Sequence, residues 1–321
     1  MAVAKAFTIL DARGNWHEPS MAAARARGYD ALRIFRGIEA QGRTGLGFIR
    51  PHAAPKILEQ NHEDHFLMSG HLAVVQDPQQ VKLYDDKVAQ FWRYGELMPQ
   101  TWYFATREKA LEFARHWPLR DWIVSKAAVG ASSRNVRILK SRRDLIEHLR
   151  LCFGRGIEVD HCAGGGKEGV NARSMQRNYV LLQEFIPHDR TWRVNAIGRG
   201  RAGFMRYNHP GGHTAQTGNV EPVVSIEGET EQAVFAFAES VFQQLDTNWC
   251  ALDILVTSAG PRLLETSVGW PWPSPGACMS APFFGAIQQP RDWGGMWDLM
   301  LDEYEAGTWT VERTVRSITY G

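Results

Sequence analysis

Two carboxylates in the last third of the chain, Asp253 and Glu265, are the side chains best placed to do chemistry. Asp253 stands inside the aliphatic run Ala251 to Val256, and Glu265 lies near the end of a second run, Arg262 to Thr266. The residues between them, Thr257 to Pro261, read as a turn. A carboxylate within an apolar strand is costly to bury unless it is paired or holds a metal. Side chains alternate with period two, so antiparallel strands can turn both groups to one face. Ser267 follows two residues after the Glu. The pattern by itself equally fits one Asp and one Glu facing solvent.

Cationic groups occur where an anion would be welcome. Lys126 ends the mainly apolar run Trp122 to Lys126, where a buried ammonium needs a counter-ion. The loop behind it, Ala127 to Asn135, is built of small residues, Ser132 and Ser133 among them, whose N–H groups could close over phosphate oxygens. It does not match GxxxxGK[ST], and no GxGxxG opens a helix after a strand, so neither a P-loop nor a dinucleotide fold is supported. Further on, Val180 to Ile186 ends in Gln183, Glu184, Phe185 and Ile186, a stretch whose main chain could meet an adenine edge. Asp189 could then take ribose hydroxyls, with Arg193 and Arg206 pointing into the same cleft. Taken singly, each also fits an ordinary strand end or surface arginine.

The elements that must position these groups follow from periodicity. Residues 1–78 read as a small α/β unit with strands at Ala6 to Leu10 and Ala31 to Phe35, and a helix capped by Ser20 and ended by Gly28. A helix from Ala53 to His65 carries His62, Glu63, Asp64 and His65, read as a solvated face because HExxH spacing is absent. Residues 79–178 read as an α+β unit. It has helices from Tyr84 to Trp92, after Thr106 and after Ser141, with Leu145, Leu149 and Cys152 on one face of the last. Gly154 to Arg177 lacks strong periodicity and reads mostly as a mobile flap. Residues 179–321 open with strands, and their clearest helix is Glu229 to Leu245, striped by Val234, Ala238, Val241 and Phe242.

Composition narrows the class. At 321 residues the chain is long enough for two or three subdomains, and a formal charge of +1 gives no field toward nucleic acid or anionic membrane. The cysteines (Cys152, Cys162, Cys250, Cys278) have no metal-type spacing, and no apolar run is long enough for a membrane span. A reduced, cytoplasmic setting is the expectation.

The order of these residues carries a resemblance. Asp85, Asp86 and Lys87, then Pro99, Gln100 and Thr101, then Lys126 and its loop, Gln183 to Ile186, Asp189, Arg193, Arg206, and finally Asp253 and Glu265 twelve apart: the series resembles the ATP-grasp superfamily. It is most similar to the amino-acid-ligating branch, exemplified by ribosomal-protein glutamate ligases, glutathione synthetase and D-alanine–D-alanine ligase, over roughly residues 74 to 285. The resemblance implies an α+β ATP-grasp fold in which ATP is held between two α+β subdomains behind an N-terminal α/β domain. It implies that Lys87 and Lys126 contact phosphates under the Ser132 and Ser133 loop, that Gln183, Glu184, Phe185 and Ile186 hold adenine, and that Asp189 holds ribose. Arg206, with Lys126, would steady charge in transfer. Asp253, Glu265 and Ser267 would hold Mg2+, two ions with Mn2+ able to substitute, although relatives commonly have Asn where this chain has Ser267. The implied activity is ATP-dependent carboxylate–amine ligation through an acylphosphate, on small-molecule or peptide substrates; a homodimer is an option for assembly. The alternatives are a kinase on the same scaffold and a catalytically silent ATP-binding protein.

Overall fold

In the computed structural model, residues 5–11, 17–50, 55–75, 83, 86–129, 135–160, 173–197, 201–208, 220–222, 228–245, 249–267, 279–281, 287–291 and 293–307 are described. The N-terminal sheet is wholly parallel. Strand β1 (Ala6–Leu10) lies between β2 (Asp30–Ile34) and β3 (Gly45–Ile49), and β4 (Ala73–Val74) extends the order to β2-β1-β3-β4. Helix α1 (His17–Ala26) connects β1 to β2 and α2 (Pro55–Ser69) connects β3 to β4, while a 3-10 turn, Gly37–Ala40, lies between β2 and β3. Every residue of β1 is buried, as expected for a central parallel strand covered on both faces.

Two local expectations change here. Helix α1 begins at His17, so Ser20 sits inside it and its Oγ donates back to the His17 carbonyl at 3.1 Å. Pro19 occupies the first turn, where a missing N–H costs nothing. In α2 the acidic face is only partly solvated: Glu63 is exposed, but Asp64 and His65 are buried, and Asp64 accepts from the Gly37 N–H (2.8 Å) and Arg36 Nε (3.1 Å).

The final described helix, α7 (Trp293–Glu305), packs against α1 at the beginning of the chain. Trp297 is 1% exposed, with ring centroids 6.3 Å from Phe7 and 5.2 Å from Phe48, both near edge-on. Arg27 of the segment after α1 pairs with Asp302 (2.7 Å) and Glu305 (3.2 Å), while the Tyr29 hydroxyl donates to Glu305 at 2.9 Å. Trp297→Ala should therefore destabilise the protein by about 3–5 kcal/mol through loss of burial plus a residual cavity, read as a lower denaturant midpoint.

Helix α3 (Lys87–Tyr94), capped by Asp86, leads into β5 (Thr101–Phe104), α4 (Arg107–His116), β6 (Ile123–Lys126), β7 (Val136–Leu139) and α5 (Arg142–Cys152). Ser141 caps α5 by accepting from the Asp144 N–H at 3.1 Å, whereas Thr106 makes no side-chain cap bond to α4. The segment 154–177 contains two strands rather than loop alone: β8 (Ile157–Asp160) and β9 (Arg173–Gln176) pair antiparallel. The intervening residues 161–172, including Lys167, lie outside the described set. Strand β10 (Val180–Glu184) then inserts between β5 and β6, giving the order β5-β10-β6-β7. The expected boundary at 178 thus falls two residues before a strand that lies at the centre of this sheet. Helices α4 and α5 cover one face, against Trp102, Ile123, Val180 and Leu182.

The largest sheet is antiparallel, in the order β13-β12-β11-β14-β15, from β11 (Arg190–Ile197), β12 (Arg201–Asn208), β13 (Val220–Pro222), β14 (Trp249–Thr257) and β15 (Gly260–Ser267). Helix α6 (Glu229–Leu245) covers one face, packing Val234, Ala238, Val241 and Phe242 against Trp192, Val194, Leu252, Ile254 and Leu263. A two-stranded ribbon, β16 (Met279–Ala281) with β17 (Ile287–Arg291), precedes α7. Among the described residues no helix is long and apolar enough to cross a membrane.

Candidate active site

The two carboxylates face one another. Asp253 of β14 is the direct cross-strand partner of Glu265 of β15, and on the other side of β14 it is the partner of Arg193 of β11. Arg193, Asp253 and Glu265 form one row across three strands, on the face away from α6. A register shift between Asp253 and Ile254 pairs Ile254 with Leu263 and leaves Leu264 extra. That bulge puts Leu263 in the α6 core while Glu265, two residues on, turns to the opposite face.

Like charges directly opposed on a sheet repel. Cations on both flanks offset the repulsion here. Arg193 holds Asp253 through a fork, Nε to Oδ1 at 2.7 Å and Nη2 to Oδ2 at 2.6 Å. Lys87 Nζ lies 3.5 Å from Glu265 Oε2, with the lysine side chain only 7% exposed. Both carboxylates are half-buried rather than surface groups. Ser267 is opposite Ala251, one step along the face that carries Glu265, and is buried.

Lys126 approaches from the other sheet. Ile123 and Ser125 of β6 face α4 and α5, the Ser125 hydroxyl lying 2.7 Å from His148 Nε2, so Lys126 turns the other way. Desolvation lowers its pKa to about 8; Glu265 and Asp253 pull it back up and Lys87 pushes it further down. The ammonium therefore sits within the field of the carboxylate row. Burial likewise holds His148 neutral, its pKa lowered to about 4 by desolvation and by Arg137.

The base of the small-residue loop is held from three directions. The Ala128 carbonyl accepts from the Lys87 N–H at 2.6 Å, and the Ala128 N–H donates to Gln176 Oε1 at 2.8 Å. Asn135 Nδ2 donates to the carbonyls of Val129 (2.9 Å) and Asp160 (2.7 Å). Ser132 and Ser133 lie outside the described residues.

In the expected adenine segment the side chains of Gln183 and Glu184 are committed to β5 and the residues before it. Gln183 Nε2 donates to Thr101 Oγ1 at 2.9 Å, and Glu184 Oε1 accepts from the Gln100 N–H at 2.8 Å. Phe185 packs on Trp122 at 4.9 Å, His188 Nδ1 lies 2.8 Å from the Ile186 carbonyl oxygen, and the Asp189 side chain is 82% exposed. Arg206 of β12 pairs with Trp192 and Glu221, so its register position is on the α6 face with Trp192 and not in the Arg193 row, against the expectation that both arginines enter one cleft.

One residue of this site escaped the sequence reading. Gln90 of α3 is fully buried and bonds to both main-chain groups of Thr266, donating from Nε2 to the carbonyl (2.7 Å) and accepting at Oε1 from the N–H (2.9 Å). The available signal was its position three after Lys87, which places both on one helix face.

Among the described residues no group of three or more His, Cys, Asp or Glu side chains could cage a metal. The pair Asp253 and Glu265 instead fits Mg2+, which takes one or two carboxylates and completes its shell with water and substrate phosphates. Water can replace a weak ligand, so Ser267→Ala should lower turnover less than about tenfold in a steady-state assay.

No protein-family model and no curated protein matches the chain. Solved structures do. An ATP-grasp RimK domain protein from Sphaerobacter thermophilus superposes with a TM-score of 0.58 at 18% identity, covering 94% of this chain and 99% of its own. The chain has the ATP-grasp fold. D-alanine–D-alanine ligase from Bacillus anthracis gives 0.57 at 12% identity, covering 95% and 97%. A Chryseobacterium gregarium RiPP-associated ATP-grasp ligase, in complex with ADP and a leader and core peptide, gives 0.56 at 12%, covering 94% and 97%. The ATP-grasp fold expected from the residue order is thus present over nearly the whole chain, with its two inner sheets presenting Lys126 and the Asp253–Glu265 row.

Proposed function

We propose that this protein is an ATP-dependent carboxylate–amine ligase. The observation that carries the proposal is the row Arg193, Asp253, Glu265 and Lys87, with Lys126 opposite. It is a half-buried alternation of charge suited to a polyphosphate and its cation. In the first step a substrate carboxylate attacks the γ-phosphorus of ATP, giving an acylphosphate and ADP. In the second an amine attacks the acyl carbon and inorganic phosphate leaves. Lys87 and Lys126 bind phosphate oxygens, and Lys126 offsets charge developing in transfer. Arg193 keeps the Asp253 carboxylate oriented, and Phe185 with the main chain beside it receives the adenine. Mg2+ held by Asp253 and Glu265, with Ser267 directly or through water, would supply charge neutralisation at the phosphates.

The solved structures of similar fold include a ligase named for D-alanine and one bound to a peptide, which supports small amino acids or peptides as substrates. The test is a panel of carboxylates and amines assayed for ADP, phosphate and coupled product. Phosphate release that needs both substrates supports ligation. A stable phosphorylated product that ignores amines would assign a kinase, and nucleotide binding without turnover across the panel would assign a silent binder.

A further inference from the structure

Among the described residues strand β15 is an edge strand, bonded to β14 on one side only. In an antiparallel pair successive residues turn their main-chain groups alternately toward the partner and away from it. Thr266 is the residue whose N–H and C=O point away, and both would be left without a strand partner. Both are taken by the Gln90 side-chain amide, so one glutamine replaces a sixth strand at this point. The same Nε2 also donates to the Leu83 carbonyl at 2.9 Å, which completes the amide's bonding and fixes its orientation. Gln90 is fully buried, and Thr266 beside it is 4% exposed.

We propose that Gln90 is a positioning residue for the cation-binding strand. Thr266 is flanked by Glu265 and Ser267, so anchoring its main chain fixes the carboxylate and hydroxyl on either side. The anchor is mutual. Three residues earlier in the helix, Lys87 reaches Glu265 with its ammonium and donates its N–H to the carbonyl of Ala128, two residues after Lys126. Helix α3 therefore sets the metal strand and the phosphate-loop base in one frame, and Gln90 registers the helix on the strand. Such supporting bonds to ligand-bearing groups typically matter 10–100-fold in metal affinity.

The inference rests on the proposed Mg·nucleotide chemistry, and its test separates the two. ADP binding is measured by calorimetry with and without Mg2+ for the wild-type protein and for Gln90→Ala, Gln90→Met and Gln90→Glu. Met keeps the volume without the polar bonds, and an ionised carboxylate keeps the acceptor but cannot donate to the two carbonyls. Expected is a Mg2+-dependent gain in wild-type affinity that falls about tenfold or more in the variants, with Mg2+-free ADP affinity unchanged. Protonating the carboxyl introduced by Gln90→Glu at low pH should restore part of the gain, since that side chain then regains a donor. A wild-type protein with no Mg2+-dependent gain overturns the functional reading itself. Variants that keep the full gain overturn the role of Gln90 alone. Equal loss of Mg2+-free and Mg2+-dependent binding, or failure of all three to fold, would also overturn it, assigning Gln90 to the fold.

Discussion

Asp253→Asn and Glu265→Gln should each lower ADP formation on the order of 10²–10³-fold while leaving the fold intact. Removing one negative charge from this pair weakens what it can hold without opening a cavity, because both amides are isosteric with the acids. The stability change should be small for a second reason. Asp253 and Glu265 are direct cross-strand partners, so neutralising either removes a like-charge repulsion as well as an ion pair. The two variants should nevertheless differ. Asp253→Asn leaves Arg193 without its forked carboxylate, while an Asn oxygen can still accept one of the two bonds. Glu265→Gln gives up a longer contact, 3.5 Å to Lys87. Melting should therefore fall further in Asp253→Asn, and turnover should collapse in both. Near-normal ADP release in either, at saturating Mg2+, would remove the carboxylate row from the chemistry.

What could be seen in the sequence was what repeats or alternates. The stripe Val234, Ala238, Val241 and Phe242 marked α6 from Glu229 to Leu245, the bounds the helix has. The aliphatic surroundings of Asp253 and Glu265 marked two strands and an expensive pair of acids, and the register brings them face to face. What stayed hidden depends on partners distant in sequence. Asp64 reads as a solvated helix residue until the Gly37 N–H and Arg36 arrive from another turn. Strand β9, Arg173–Gln176, has no apolar alternation to announce it and exists by pairing with β8. The bulge at Leu264 is invisible because a single extra residue leaves composition unchanged, yet it decides which face Glu265 takes. Gln90 belongs with these: nothing in a lone glutamine says that a strand edge 176 residues away needs its amide.

Lys126 should make nucleotide binding depend on pH in a range where most lysines are silent. Its pKa is lowered to about 8, chiefly by desolvation and partly by Lys87, against the upward pull of Glu265 and Asp253. In the free protein the group is therefore charged below about pH 8 and increasingly neutral above it. If Lys126 faces the phosphates as proposed, a bound triphosphate adds negative charge beside the ammonium and raises its pKa in the complex. Between the two values binding must take up a proton, so ADP or ATP affinity should fall as pH rises above 8, by at most about tenfold per unit. The stability sign runs the other way. The unfolded lysine titrates near 10.5, so between 8 and 10.5 folding releases a proton and this group's contribution to stability rises with pH, its full cost being felt below 8. Calorimetry in two buffers of different ionisation enthalpy counts the proton directly, with uptake of up to one expected near pH 9. Lys126→Arg, whose guanidinium stays charged, should flatten the profile above pH 8. Lys126→Met should be weak throughout and equally flat, because a thioether is uncharged at every pH in this range. A wild-type affinity that is constant from pH 7 to about 9.5 would mean that Lys126 does not face the phosphates, and would return the phosphate contacts to Lys87 and the loop alone.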